Sequence, residues 1–214
     1  LRLNHLRINS SNPFGRDYDS RLSDIAEKIP DVDADNALKD GRTDLRHLPF
    51  VTIDPKTAKD FDDAVCLIEE NGKQTLWVAI ADVAHYIEPE TLLDEEAQAR
   101  ATSVYLPHAV LPMLPSRLSD NLCSLRSKVP RLAMVVSMEI KDDFTIGEVS
   151  AFESVIEVKE NLSYEDALDN PKFQNMMDLA EGLRQNEIRL NLNSAELRPR
   201  VDDDEISVNV KWPN

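Results

Sequence analysis

Apolar residues along the chain fall into two periods. From Phe50 to Ile53, Ala64 to Glu69 and Thr75 to Ala81 they run almost unbroken in β-forming types, which predicts buried strands. Asn71-Gly72 between the last two is a tight-hairpin signal, because both central residues of a type I′ turn take positive φ. Leu132 to Ile140 and Ile146 to Val158 predict two long antiparallel strands joined across Lys141 to Thr145, and Ile206 to Val210 a final one. Helical spacing appears at Leu22, Ile25, Ala26 and Ile29 before Pro30, and a second short helix fits Ala34 to Lys39. Thr91 is placed to cap a helix running from Leu92 to Arg100. Ser163-Tyr164-Glu165-Asp166 reads as a capping box, and Met176, Met177, Leu179, Ala180, Leu183 and Ile188 mark a last helix. The expected fold is α+β, with a mixed, mostly antiparallel sheet and packed helices.

A chain of 214 residues with 42% apolar residues can bury a sizeable core. Residues 1–48 are polar and punctuated by Ser10-Ser11-Asn12-Pro13 and Gly15, which predicts a linker or N-terminal extension ahead of a domain over 49–214. The chain opens at Leu1 without methionine, as expected of a piece of a longer product. No apolar run approaches the ~20 residues of a spanning helix, and no signal peptide is evident, so a cytoplasmic, membrane-free protein is expected. Cys66 and Cys123 lie far apart in apolar contexts and are expected to be buried, reduced thiols. None of the four histidines has metal-ligand spacing to a cysteine or another histidine.

Four aspartates, Asp54, Asp60, Asp62 and Asp63, crowd the junction between the first two predicted strands, with only Lys56 and Lys59 beside them. At the edge of a core such carboxylates repel one another and resist desolvation. Protonation, basic partners or divalent cations are the remedies, and an all-oxygen donor set favours Mg²⁺, with Mn²⁺ as the alternative. An EF-hand register fails: counted from Asp54 the glycine position is Lys59, and counted from Asp60 it is Val65. A solvated acidic turn remains open on pattern alone. Asp82 ends the third strand as a cap or as a neighbour of the acids, and His85 and Tyr86 read as structural.

The stretches TIDPKTAKDFDDAV, LWVAIADVAHYI, SVYLP and PMLPSRLSDNLCSL, in this order and spacing, resemble the catalytic (RNB) domain of the ribonuclease II family, and its ribonuclease R branch most. The resemblance covers the N-terminal part of that domain, so 49–214 is expected to be a partial RNB domain. It implies processive 3′-to-5′ hydrolysis of single-stranded RNA from its 3′ end, releasing nucleoside 5′-monophosphates, with no small-molecule cofactor. It implies Asp54, Asp60 and Asp63 as metal ligands and Asp62 as the catalytic aspartate that orients or activates water. Two ions about 4 Å apart then hold the scissile phosphate between them. It further implies that Tyr105 stacks on a base near the RNA 3′ end. Arg117, Arg126 and Arg131 are candidates for phosphate contact.

The net charge of −16 argues against RNA binding by this stretch alone, because phosphate contacts need a basic face. The family also uses an arginine and glutamates from a second half that nothing here matches, so the chain alone is expected to be weakly active or inactive. The competing readings are an inactive RNA- or protein-binding RNB fragment and an acidic interaction module without a nucleic-acid role.

Overall fold

A computed structural model describes residues 20–106, 109–185, 196–202 and 205–211. The loop signals at Ser10 to Gly15 and the end of the last helix at Ile188 lie outside these residues. Two short helices, α1 (Ser20–Glu27) and α2 (Ala34–Lys39), occur where the spacing places them, and Asp33 caps α2 through the Asn36 N–H. Within the described residues follow β1 (Thr43–Asp44), β2 (Val51–Asp54), β3 (Asp63–Glu70) and β4 (Lys73–Ala81). Next come α3 (Leu92–Arg100), β5 (Val104–Leu106), β6 (Ala109–Leu111), β7 (Pro130–Ile140) and β8 (Ile146–Glu157). β9 (Glu160–Ser163), α4 (Tyr164–Leu168), α5 (Gln174–Gln185), β10 (Glu196–Asp202) and β11 (Glu205–Lys211) complete the order.

Seven strands form one sheet in the order β1-β8-β7-β4-β3-β2-β9. The β3–β4 hairpin turns on Asn71 and Gly72 with φ of 54° and 75°, as the dipeptide requires. β4 is central, between β3 and β7, with Ala79 and Ala81 buried on one face and Ile80 exposed on the other. Only the outer pairings, β1 with β8 and β2 with β9, are parallel. The predicted strand through Val158 is cut after Glu157, and the chain crosses to the opposite edge of the sheet, where β9 lies beside β2. Lys159 N–H donates to Phe50 O at 2.8 Å and fixes that crossing.

Strand alternation divides the sheet into two unlike faces. Ala64, Cys66, Ala79, Ala133, Val135 and Ile156 are buried on one face against Leu118, Leu122 and Leu125. Leu118 and Leu122 come from a single π-helical turn, Leu118–Leu122. Cys66 and Cys123 are free and buried, and desolvation pushes their thiols up to about 11 and about 12. On the opposite face Ile80, Met134 and Val149 stand exposed. α5 has Leu179 and Gly182 buried, and Gly182 is in direct contact with the Phe144 ring of the β7–β8 turn, where no β-carbon fits. No described helix is long and apolar enough to cross a membrane.

Candidate active site

The acidic cleft opens where β2 ends on Asp54 and β3 begins on Asp63, with residues 55–62 leaving the sheet as a loop between them. Asp54, Asp60 and Asp62 line a cleft of about 670 Å³ together with Tyr105, Pro112, Ser116 and Asp120. Asp120 was not singled out in the sequence. It sits inside the PSRLSDNL stretch, and only folding carries it to the other acids. Asp63, the first residue of β3, is not among the residues that line the cleft. Its charge is nevertheless felt at both Asp54 and Asp62.

Electrostatic crowding bears on Asp54 and Asp62. Partial burial holds the Asp62 carboxyl above the usual carboxylate range, and Asp60, Asp63 and Asp54 push it further. Burial also raises Asp54; the Thr52 hydroxyl opposes this, while Asp63 and Asp60 add to it. Lys59 is the one cationic residue among the described residues that line the cleft. Tyr105, exposed at the rim, donates a short hydrogen bond from its hydroxyl to Asp60 Oδ2. That bond, with burial and the charges of Asp60, Asp62 and Asp120, pushes its phenol up to about 12.

The donor chemistry, all hard oxygen with unrelieved like charge, fits a hard divalent cation. The side chains are not gathered for one: among the described residues no three histidine, cysteine, aspartate or glutamate side chains converge closely enough to hold an ion. The reason is visible in the geometry. Bare carboxylates repel, Asp60 is turned toward Tyr105, and Asp63 is not among the cleft-lining residues.

Asp82 settles as a cap. Its Oδ1 accepts the His85 N–H at 3.2 Å, and its Oδ2 accepts Arg42 Nη2 at 2.6 Å. His85 packs edge-on against Tyr86, a structural contact. The three arginines part company. Arg126 is exposed but is not among the cleft-lining residues. Arg117 donates to Ile29 O at 2.7 Å and pairs with Asp31 at 3.0 Å, tying the π-helical turn to the segment after α1. Arg131 is corrected outright: it is buried, with Nε on Ser124 O at 2.9 Å and Nη2 on Asn121 Oδ1 at 3.0 Å, so it cannot reach a phosphate.

The RNB domain family model matches residues 42–207, a span that includes every acid of the cleft. This chain belongs to the RNB family. The RNB chain is 43% identical over 149 residues to ribonuclease R of Vibrio cholerae and 44% identical over 147 residues to that of Escherichia coli. These matches cover 69% and 68% of this chain but only 18% of each relative, so the chain spans about a fifth of their length. Mycoplasma genitalium RNase R in complex with ribose-methylated single-stranded RNA superposes with a TM-score of 0.80 at 30% identity, over 92% of this chain and 34% of that one. Yeast Ssd1, described as a pseudonuclease, shares the fold at 20% identity and a TM-score of 0.62 over 72% of this chain and 20% of its own.

Proposed function

We propose that this RNB chain supplies the acidic part of the active site of a 3′-to-5′ exoribonuclease that hydrolyses single-stranded RNA to nucleoside 5′-monophosphates. The observation that carries this reading is one cleft that gathers Asp54, Asp60 and Asp62 under the exposed ring of Tyr105. The relatives support the substrate class, since RNase R of Mycoplasma genitalium has been solved with single-stranded and with double-stranded RNA.

On this reading Asp54, Asp60 and Asp63 would hold Mg²⁺, or Mn²⁺ in its place, once Asp60 exchanges the Tyr105 hydroxyl for the ion and Asp63, outside the cleft lining, turns toward it. Bound there, the metal supplies charge neutralisation at the phosphate and activation of the attacking water. Asp62 orients that water and accepts its proton at a carboxylate oxygen. Tyr105 offers a ring face to the terminal base, a contact indifferent to sequence. Arg126 offers a charge to the phosphate backbone, and Arg117 does so once it releases Asp31. The net charge of −16 makes RNA affinity by this chain alone low and dependent on Mg²⁺. The chain spans about a fifth of the length of its curated relatives, which supports reading it as one part of the machinery.

The test uses 5′-labelled single-stranded RNA with Mg²⁺, this chain and its Asp62→Asn variant, each alone and joined to the remaining part of an RNB domain from a relative. Laddering from the 3′ end by the joined parent, lost in the joined variant, is expected. Silence from the joined parent overturns the nuclease reading.

A further inference from the structure

We propose that Ser124 is a positioning residue for the acidic cleft: its buried hydroxyl grips the loop on both sides of Asp60 and so sets where Asp60 and Asp62 point. The inference deepens the nuclease reading and rests on Asp60 belonging to that site. Ser124 is fully buried and is not among the residues that line the cleft, so it acts through backbone rather than by touching substrate.

The geometry is a two-sided clamp. Ser124 Oγ donates to Lys59 O at 2.6 Å and accepts the Phe61 N–H at 3.1 Å. One hydroxyl thus fixes the peptide units immediately before and after Asp60. The next residue along reinforces it, since Leu125 N–H donates to Phe61 O at 2.8 Å. Ala81 N–H then takes Asp62 O at 2.9 Å, so the loop is pinned at 59, 61 and 62 before it enters β3.

The clamp is itself anchored. Arg131, buried, donates Nε to Ser124 O at 2.9 Å and Nη2 to Asn121 Oδ1 at 3.0 Å. A second arm reaches the other wall of the cleft. Asn161 Nδ2 donates to Leu125 O at 3.1 Å and to Thr52 Oγ1 at 2.9 Å, and the Thr52 hydroxyl favours the charged form of Asp54. Segment 121–131 therefore holds the backbone on both sides of Asp60 and, through Asn161, reaches the Thr52 hydroxyl two residues before Asp54. The need for such a grip follows from the charges: unrelieved carboxylates repel, and a loop free to spread them has no fixed donor set to offer. Serine is the side chain that both donates and accepts within so small a buried volume.

The test compares Ser124→Ala with Ser154→Ala, an equally buried serine on β8 whose hydroxyl makes one long contact, to Phe152 O at 3.4 Å. Mn²⁺ affinity is read by electron paramagnetic resonance, and the metal-free Tyr105 ring carbon beside the hydroxyl by NMR. In Ser124→Ala we expect about tenfold weaker Mn²⁺ binding and a Tyr105 signal shifted toward that of Asp60→Asn, while Ser154→Ala matches the parent in both. Parent-like Mn²⁺ affinity and Tyr105 signal in Ser124→Ala overturn the proposal.

Should Ser124→Ala fail to fold, amide exchange in the parent decides. The clamp requires the Phe61 and Leu125 amides to be protected to the same degree, because they open together. Fast exchange at Phe61 with slow exchange at Leu125 overturns it. If the parent binds no Mn²⁺ the metal reading fails, and the Tyr105 signal with Phe61 protection still decides the role of Ser124.

Discussion

The hydroxyl of Tyr105, on β5, donates a hydrogen bond to Oδ2 of Asp60 and so joins the rim of the cleft to the loop that carries its acids. Under the proposed function the same carboxylate would also hold the cation. Tyr105 therefore has two separable parts, a hydroxyl that occupies Asp60 and a ring exposed for stacking.

Tyr105→Phe removes the first part and keeps the second. We expect Mn²⁺ to bind more tightly by the worth of one hydrogen bond, about 1 kcal/mol or roughly fivefold. Single-stranded RNA binding in Mg²⁺ stays near the parent in that variant, whereas Tyr105→Ala loses about 1–3 kcal/mol. Metal titration and filter binding read the two separately, and a Phe variant that weakens metal binding would show that the hydroxyl is itself a ligand.

Asp54 and Asp62 are both held above the usual carboxylate range. The folded chain keeps their protons at pH values where the unfolded chain has released them, so their part of the stability falls as pH rises above about 4. This is the reverse of an ion-paired aspartate. Asp62→Asn should be no more stable than the parent near pH 3.5 and more stable at pH 7. Solvent screening at this exposed residue keeps the gain to about 0.5 kcal/mol. Urea denaturation at the two pH values measures it, and added Mg²⁺ should close the gap at pH 7.

Arg42 and Asp82 form an ion pair at 2.6 Å with side chains only 9% and 8% exposed. Arg42→Ala leaves Asp82 buried without its counter-charge, with a cost of about 3–5 kcal/mol. Removing both charges, in Arg42→Met with Asp82→Leu, should recover much of that loss even though the cap on His85 goes with it. A double variant as unstable as Arg42→Ala in denaturant midpoint would mean that the cap, not the charge pair, stabilises this corner.

Much of the secondary structure was legible because it depends on local chemistry. The Asn71-Gly72 turn, the Thr91 cap and the Ser163–Asp166 capping box all form as the local residues dictate. In the capping box Ser163 Oγ accepts the Asp166 N–H at 3.0 Å, a bond that needs no tertiary partner. β4 was legible as a strand because its apolar, β-forming run is bounded by the Asn71-Gly72 turn and Asp82. Reduced, buried Cys66 and Cys123 followed from their apolar flanks.

The rest depended on which distant segments meet. Nothing local in Glu160 to Ser163 marks a parallel partner for β2, because parallel pairing joins residues that the chain separates by a long crossover. Arg131 reads as a surface cation until its position on β7 directs it into the carbonyls behind the cleft. Asp120 and Ser124 carry no signal of their own, yet one lines the cleft and the other grips its loop. By itself the sequence determined the strand and helix periods, the acid cluster and the motif that assigns the RNB family, since each is a property of neighbouring residues. Only the tertiary structure decided that Asp54, Asp60 and Asp62 share a cleft, that Asp63 does not line it, and that Ser124 holds the loop. Those facts depend on hydrogen bonds and packing between segments more than sixty positions apart, which no local period encodes.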